Sequence, residues 1–187
     1  MSVHALSLWG IKLSDGIDWE LDLPFALCDI IFLLCLACFF KPHPIPLNFV
    51  VYWGLAGTLQ ALITPDITEA FPSLEFVLFF IGHSVIVFAV FFLLARYRTK
   101  NMTGLRGLGL ASLGILLYTL IMGGVNKIAG FNYGYLSEKP VGASVLDHFG
   151  PWPYYVFAGL AIAFVLFLIL SQVLKLLPLG KEAIDES

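Results

Sequence analysis

Charged side chains are scarce in this sequence. Asp, Glu, Lys and Arg make up 12% of the 187 residues, about half of the quarter that is usual in globular domains. Hydrophobic residues make up 59%, and the mean hydropathy is +0.92. The few cations form no basic patch suited to nucleic acid, which excludes that class of partner. The composition therefore predicts an all-α fold, a polytopic helical bundle in a membrane.

Cysteine is also rare, and the three present imply no disulfide framework. Cys28, Cys35 and Cys38 all lie in one apolar segment. Cys35 and Cys38 have the C-x-x-C spacing of redox motifs, but a membrane disulfide oxidoreductase normally needs a second pair in a loop, and none is present. We therefore interpret Cys35 and Cys38 as small apolar core residues. Residues 1–22 lack a basic start followed by an apolar core, so no signal peptide is predicted.

Five apolar segments approach the roughly 20 residues that a bilayer requires. No internal repeat is evident, so the chain is expected to form one membrane domain over 1–187. Within it we expect an outer N-terminal segment at 1–22, a helical bundle over 23–174 and a cytoplasmic tail at 175–187. A short interfacial helix is predicted at Val3–Leu13. The predicted spans are 24–40, 48–64, 74–95, 105–125 and 152–174.

The basic residues divide unequally between the two membrane sides. If the N-terminus is outside, seven of the ten Lys and Arg residues lie on the inner side and three on the outer side. Inner loops of membrane proteins carry the excess of basic residues. We therefore predict a plasma-membrane protein with its N-terminus out and its C-terminus in the cytoplasm. The inner residues are Lys41, Arg96, Arg98, Lys100, Arg106, Lys175 and Lys181, and the outer ones are Lys12, Lys127 and Lys139.

The second span contains the most distinctive stretch, YWGLAGTLQALITPD at 52–66. At helical spacing its small residues Gly54, Thr58 and Ala61 form a row that allows a neighbouring helix to approach closely. A second face carries Trp53, Gly57, Gln60 and Thr64. A buried glutamine in a membrane needs a hydrogen-bond partner. The stretch therefore predicts a helix packed among others, in which the polar groups could also serve packing alone.

Polar residues in or beside the spans gather toward the outer end. Cys28 and Asp29 lie about one turn into the first span, Gln60 about one turn from the end of the second, and His83 two to three turns into the third. Ionisable residues inside a membrane are expensive and are candidates for function. Apart from the terminal basic residues, the inner half is expected to be almost purely apolar. The remaining polar residues at the outer end are Asp66, Asn126 and Asn132.

A cysteine, a histidine and a carboxylate are the parts of an acyl-transfer site. A thiol in apolar surroundings is poorly ionised and needs a base. Cys28 is the candidate nucleophile and His83 the candidate base, while Asp29 or Asp66 could fix the tautomer of the imidazole. The sequence spacing of these residues is not itself a motif.

Amide side chains could complete such a site. Gln60 or Asn126 could donate to an oxyanion, and Asn132 in the long outer loop is a further supporting residue. Two alternatives use the same residues differently. Asp29 and His83 could titrate in a small-solute or proton-coupled carrier, although no inverted repeat supports this, or the polar groups could only hold a non-catalytic scaffold together. Membrane lipids are the expected partners, no cofactor or metal is assigned, and the oligomeric state stays open.

Several strings spread over residues 23–155 resemble the YwaF-type family of bacterial integral membrane proteins, which is similar to eukaryotic transmembrane protein 164. The 52–66 stretch and the GPWP string are the longest and most specific. The full set is LPFALCDI at 23–30, YWGLAGTLQALITPD at 52–66, FFIGH at 79–83, NKIAGFNYGYL at 126–136, KP at 139–140 and LDHFGPWPYY at 146–155.

The resemblance implies a helical bundle and, for the eukaryotic relative, a phospholipid acyltransferase that uses a cysteine and a histidine. On this sequence those two residues match Cys28 and His83. Two departures from the family pattern are visible. Ala26 stands where the family often has a histidine, and only a short, weakly apolar segment precedes residue 23, where the family has a further hydrophobic span.

Overall fold

The computed structural model describes residues 20, 23–67, 69–140, 142, 144–178 and 180. Within these residues all regular structure is helical and no strand occurs, which confirms the predicted all-α class. The predicted interfacial helix at 3–13 and the charged tail beyond 180 lie outside the described residues. The main helices are α1 (Leu27–Phe40), α2 (Pro44–Ile63), α3 (Leu74–Tyr97), α4 (Gly104–Ala129) and α5 (Tyr154–Leu176).

Each predicted span corresponds to one of these helices, with ends that agree to within four residues. Helices α2 to α5 contain 20 to 26 residues and are long and apolar enough to cross a membrane. Helix α1 has 14 residues, about 21 Å of helix, which is shorter than a hydrocarbon core of about 30 Å. The chain is therefore a multi-pass membrane protein with four full-length spans and one shorter apolar helix.

Helix α2 lies at the centre of the bundle. In the most apolar 18-residue stretch of α2, 56% is buried, whereas the corresponding share is at most 39% in α3, α4 and α5. Helix α2 also contacts each of the other four helices. Its start is fixed by His43, whose Nδ1 accepts the Ile45 backbone N–H at 3.3 Å, and by Pro44 in the first turn. Its middle, Gly54–Thr58, is π-helical, a wider turn in which each N–H bonds five residues back.

Polar side chains and glycines hold α2 against α4. The indole N–H of Trp53 donates to the Ala111 carbonyl at 3.1 Å, and Asn48 Nδ2 donates to the Gly107 carbonyl at 3.1 Å. A Cβ atom at Gly114 would lie 2.5 Å and 2.7 Å from aromatic ring atoms of α2. Glycine is therefore required for the two helices to approach this closely.

We use "outer" for the end of the bundle that carries the 130–153 connection, and "inner" for the end that carries residues 98–103. The inner end also buries polar residues other than the terminal basic ones, namely Asn48 and Thr99, so that expectation was wrong. Arg98 and Thr99 are buried there together with Asn48. The guanidinium of Arg98 donates to the Leu174 carbonyl in the last turn of α5, where unpaired carbonyls and the helix dipole favour a cation.

Local sequence fixes where the outer connections begin and end. Ser73 caps α3 by accepting the Phe76 N–H at 3.1 Å. Helix α4 ends at Gly130, which is left-handed with φ 76°, and the Gly130 N–H donates to the Asn126 carbonyl at 2.8 Å. Glycine is the residue that adopts this conformation without strain. These two ends direct the 64–73 and 130–153 connections across the outer face.

Candidate functional site

A cavity of about 230 Å³ opens at the outer half of the bundle. It is enclosed by α2, α4, α5 and the start of the 130–153 connection, and most of its lining is apolar. Trp53, Gly57 and Gln60 all line it, which confirms that these residues share one face of α2. Along α5 the lining runs from Tyr155 to Phe167, a length of roughly 18 Å at 1.5 Å per residue. These dimensions suit a long, narrow apolar ligand.

The roof of the cavity is a loop that two asparagines hold in shape. Asn126 is buried, its Nδ2 donates to the Tyr133 carbonyl at 3.0 Å, and its Oδ1 accepts the Tyr133 N–H at 3.0 Å. Asn132 Oδ1 accepts the backbone N–H groups of Ser137 and Glu138, both at 3.0 Å. The structure therefore places both predicted residues in the scaffold of the loop, beside the cavity.

A short hydrogen bond ties this loop to the end of α2. The Tyr135 hydroxyl donates to Asp66 Oδ2 at 2.6 Å, and Tyr135 also lines the cavity. Burial, followed by the hydrogen bond to Asp66 and the charge of that carboxylate, raises the pKa of Tyr135 above its ordinary value. The tyrosine is therefore a neutral donor at physiological pH. Asp66, which the sequence analysis placed in the site, faces the rim of the cavity.

Cys28 lies in the first turn of α1 and is partly buried. Its neighbour in sequence, Leu27, lines the cavity. The Thr58 side chain of the π-helical segment lies beside the thiol, and Thr58 is fully buried. The thiol therefore lies on the α1–α2 interface, one residue after a side chain that lines the cavity.

His83 is 4% exposed and lies on α3. Its Nδ1 is 2.8 Å from the Phe79 carbonyl oxygen, and its ring stacks on the Phe79 ring with centroids 4.1 Å apart. Because a carbonyl oxygen only accepts, Nδ1 carries the hydrogen and Nε2 is left with the lone pair. His83 is thus held in the tautomer that makes Nε2 the basic nitrogen, and the backbone fixes it without a carboxylate.

The helix register separates Cys28 and His83 along the bundle axis. A Cβ at Gly54 would contact both Ile31 of α1, at 3.5 Å, and Val90 of α3, at 2.7 Å, so these two residues lie at one level. Counted outward at 1.5 Å per residue, Cys28 lies roughly 4.5 Å and His83 roughly 10.5 Å beyond that level. The described residues show no hydrogen bond between the two side chains. Their axial offset is therefore about 6 Å.

The other two predicted residues differ in environment. Asp29 is 5% exposed and lies in the first turn of α1, where a helix N-terminus favours a carboxylate. Gln60 is exposed and lines the cavity. The structure thus brings Gln60 and Asp66 to the cavity and its rim, and it places Asp29 in the interior beside Cys28 in sequence.

Sequence reasoning missed the tyrosines of the cavity. Tyr154 and Tyr155 are adjacent in the sequence, and the stretch GPWPYY at 150–155 suggests that both belong to an interfacial aromatic belt. In the structure Tyr154 is 66% exposed, whereas Tyr155 is 2% exposed and lines the cavity. The stretch shows no feature that separates the two residues, because their difference arises from which side of α5 faces α2 and α4.

Comparison with known proteins identifies relatives but no solved structure. The sequence matches the TMEM164 family over residues 2–171. A protein of Treponema pallidum (strain Nichols), described as uncharacterized, is 33% identical over 129 residues, which is 69% of this chain and 53% of that protein. The chain thus spans about half the length of the curated relative that it matches. No solved structure matches. Because the family match covers nearly the whole sequence, the chain belongs to the TMEM164 family.

Proposed function

We propose that this protein transfers acyl chains between membrane lipids, with Cys28 as the nucleophile and His83 as the base. The observation that carries the proposal is the apolar cavity, roughly 18 Å long, which is lined by Leu27, the residue that precedes Cys28. A lipid chain in the cavity leaves its ester group at the outer end, where the polar residues gather. Pockets of this kind, apolar with a few polar groups, are the default location of a site.

The first half of the reaction loads the enzyme. The Cys28 thiol gives its proton to a bridging water molecule, which in turn gives a proton to Nε2 of His83. The thiolate attacks the ester carbonyl carbon of a phospholipid, the C–S bond forms and the C–O bond breaks. The departing alcohol oxygen takes the proton from the imidazolium. The products are a thioester on Cys28 and a lysophospholipid.

The second half reverses these roles with a different lipid. The hydroxyl of an acceptor lysolipid gives its proton to Nε2 of His83 and attacks the thioester carbonyl. The new C–O bond forms, the C–S bond breaks, and the sulfur recovers a proton from the imidazolium. Gln60 lines the cavity, and we assign it as the donor to the oxyanion in both halves. Neither half needs a metal or an organic cofactor.

The thioester offers a direct test in liposomes. The purified full chain is reconstituted with a phospholipid that carries an alkyne-tagged acyl chain, and protein-bound label is measured before and after neutral hydroxylamine, which cleaves thioesters. We expect hydroxylamine-sensitive label on the wild type and none on Cys28→Ser. Cys35→Ser and Cys38→Ser are matched controls and keep the label, because both thiols are buried in the helix core.

A histidine variant can test the base without disturbing the fold. Asparagine at position 83 keeps an N–H that can face the Phe79 carbonyl but has no basic nitrogen. His83→Asn should therefore elute as the wild type does in size exclusion and should load at least about 100-fold more slowly, the lower end of the usual contribution of a general base. Loading of His83→Asn at the wild-type rate would remove His83 from the mechanism, and label that persists on Cys28→Ser would overturn the proposal.

A further inference from the structure

Four hydroxyl groups belong to residues that line the cavity, and three of them are already engaged. Tyr118 donates to the Phe25 carbonyl at 3.0 Å, Thr119 to the Ile115 carbonyl of its own helix at 2.8 Å, and Tyr135 to Asp66 as described above. The fourth belongs to Tyr155. Its Oη is buried, and no described residue forms a hydrogen bond with it.

An unpaired hydroxyl at this position is costly. Tyr155 is 2% exposed, and a buried polar group without a partner typically costs about 1–3 kcal/mol. Nearly all buried polar groups in proteins have a partner, so an exception calls for an explanation. Because Tyr155 lines a cavity that is otherwise mostly apolar, a ligand in that cavity can supply the missing acceptor.

The tyrosine ring is held in place from the other side. Lys139 Nζ lies 5.5 Å from the centre of the Tyr155 ring, within the range of a cation–π contact. Lys139 in turn lies 3.9 Å from an oxygen of Asp147. The ring therefore sits in the first turn of α5 against the Lys139 cation, and its hydroxyl is buried.

A phenol donor in an apolar cavity selects a particular chemistry. The ligand must be apolar along most of its length and must carry one acceptor oxygen near the outer end, where α5 begins. The carbonyl of a fatty ester meets both conditions, whereas an alkyl ether lacks that carbonyl. We infer that Tyr155 donates a hydrogen bond to the ester carbonyl of a lipid in this cavity, so that the cavity prefers ester-linked chains to ether-linked ones. The inference deepens the proposed function, because it names the lipid class, but it concerns binding and needs no catalysis.

A pair of probes that differ only in this group can test the inference. Monooleoylglycerol and the corresponding monooleyl glycerol ether have the same chain and headgroup. Each competes with a fluorescent monoacylglycerol for the full-length Cys28→Ser protein in nanodiscs, so that no turnover occurs. One neutral hydrogen bond contributes about 0.5–1.5 kcal/mol, so the ester should bind between about twofold and tenfold more tightly than the ether.

Adjacent tyrosines provide a matched pair of variants. Tyr155→Phe keeps the ring and the cation contact and should bring the ester-to-ether ratio to about one. Tyr154→Phe removes a hydroxyl from an exposed residue and should leave the ratio at the wild-type value. A ratio of one in the unmutated cavity, an unchanged ratio in Tyr155→Phe, or failure of the fluorescent probe to bind would each overturn the inference.

The outcome separates this inference from the proposed function. An ester preference that depends on Tyr155, in a protein that never forms a thioester on Cys28, would support the lipid site and refute acyl transfer. A thioester on Cys28 without any ester preference would support acyl transfer and refute the role of Tyr155.

Discussion

Gly107, in the first turn of α4, gives the sharpest prediction about the packing of the bundle. A Cβ atom there would fall far inside contact distance of the Met102 carbonyl oxygen and 3.0 Å from Asn48 Oδ1. The Met102 oxygen also accepts the Tyr52 hydroxyl at 3.0 Å. An alanine at position 107 must therefore displace a backbone carbonyl and strain the hydrogen bond that ties α2 to the inner connection.

The expected magnitude follows from two opposing effects. In a helix interior, alanine is more favourable than glycine by about 0.5–1 kcal/mol. Overpacking of a tight contact costs about 1–3 kcal/mol, and loss of the Tyr52 hydrogen bond adds about 1 kcal/mol. We expect Gly107→Ala to lower the free energy of unfolding by about 1–3 kcal/mol in total.

Gly109 is the matched control, because it lies two residues later on the same helix and nothing lies within 4 Å of its hypothetical Cβ. Gly109→Ala should therefore stabilise the protein by a few tenths of a kcal/mol up to about 1 kcal/mol. The measurement is reversible unfolding by SDS in mixed micelles, followed by far-ultraviolet circular dichroism. If both variants shift stability in the same direction, the close approach of α2 and α4 at Gly107 is not as described.

Three further predictions concern other parts of the chain. Gly54→Ala should destabilise the bundle by about 1–3 kcal/mol and Gly57→Ala much less, since a Cβ would meet its neighbour at 2.7 Å in the first and 3.5 Å in the second; equal unfolding midpoints would contradict this. Because the pKa of Tyr135 is raised, the stability that its hydrogen bond to Asp66 contributes is fully present below about pH 10 and is lost as the pH rises further. Tyr135→Phe should abolish this alkaline loss of stability. A reporter active only outside the cell should be silent at the C-terminus and active when inserted near Ser137, as the distribution of basic residues predicts; the reverse pattern would invert the topology.

The helices were predictable because the bilayer and a few local signals determine them. Length and apolar composition define each span, and in the structure Ser73 caps the start of α3 and Gly130 the end of α4. The buried polar cluster at the inner end was not predictable. Asn48 and Arg98 bind backbone carbonyls of other helices. Because every residue has a backbone carbonyl, the sequence does not show which carbonyl accepts the hydrogen bond.

The relation between Cys28 and His83 shows a second limit. Counting residues from the ends of the predicted spans places both at the outer end, and the structure agrees. Counting residues cannot give the register of α1 against α3, because that register depends on how Ile31 and Val90 meet at Gly54. We predict that the two side chains come within one side chain or one water of each other. The loading assay on His83→Asn tests whether His83 acts on Cys28.

Helix α2 lies beside both the cavity and Cys28. One of its faces, which includes Gly57 and Gln60, lines the cavity, and Thr58 lies beside Cys28 at the α1–α2 interface. The two regions meet where Gly57 faces Leu27, whose Cδ2 would lie 3.5 Å from a Cβ at position 57. Because glycine has no side chain, Leu27 packs directly against α2 at this point, one residue before Cys28. A methyl group fits at this point, but a larger side chain would displace Leu27 while leaving the tight contact at Gly54 intact.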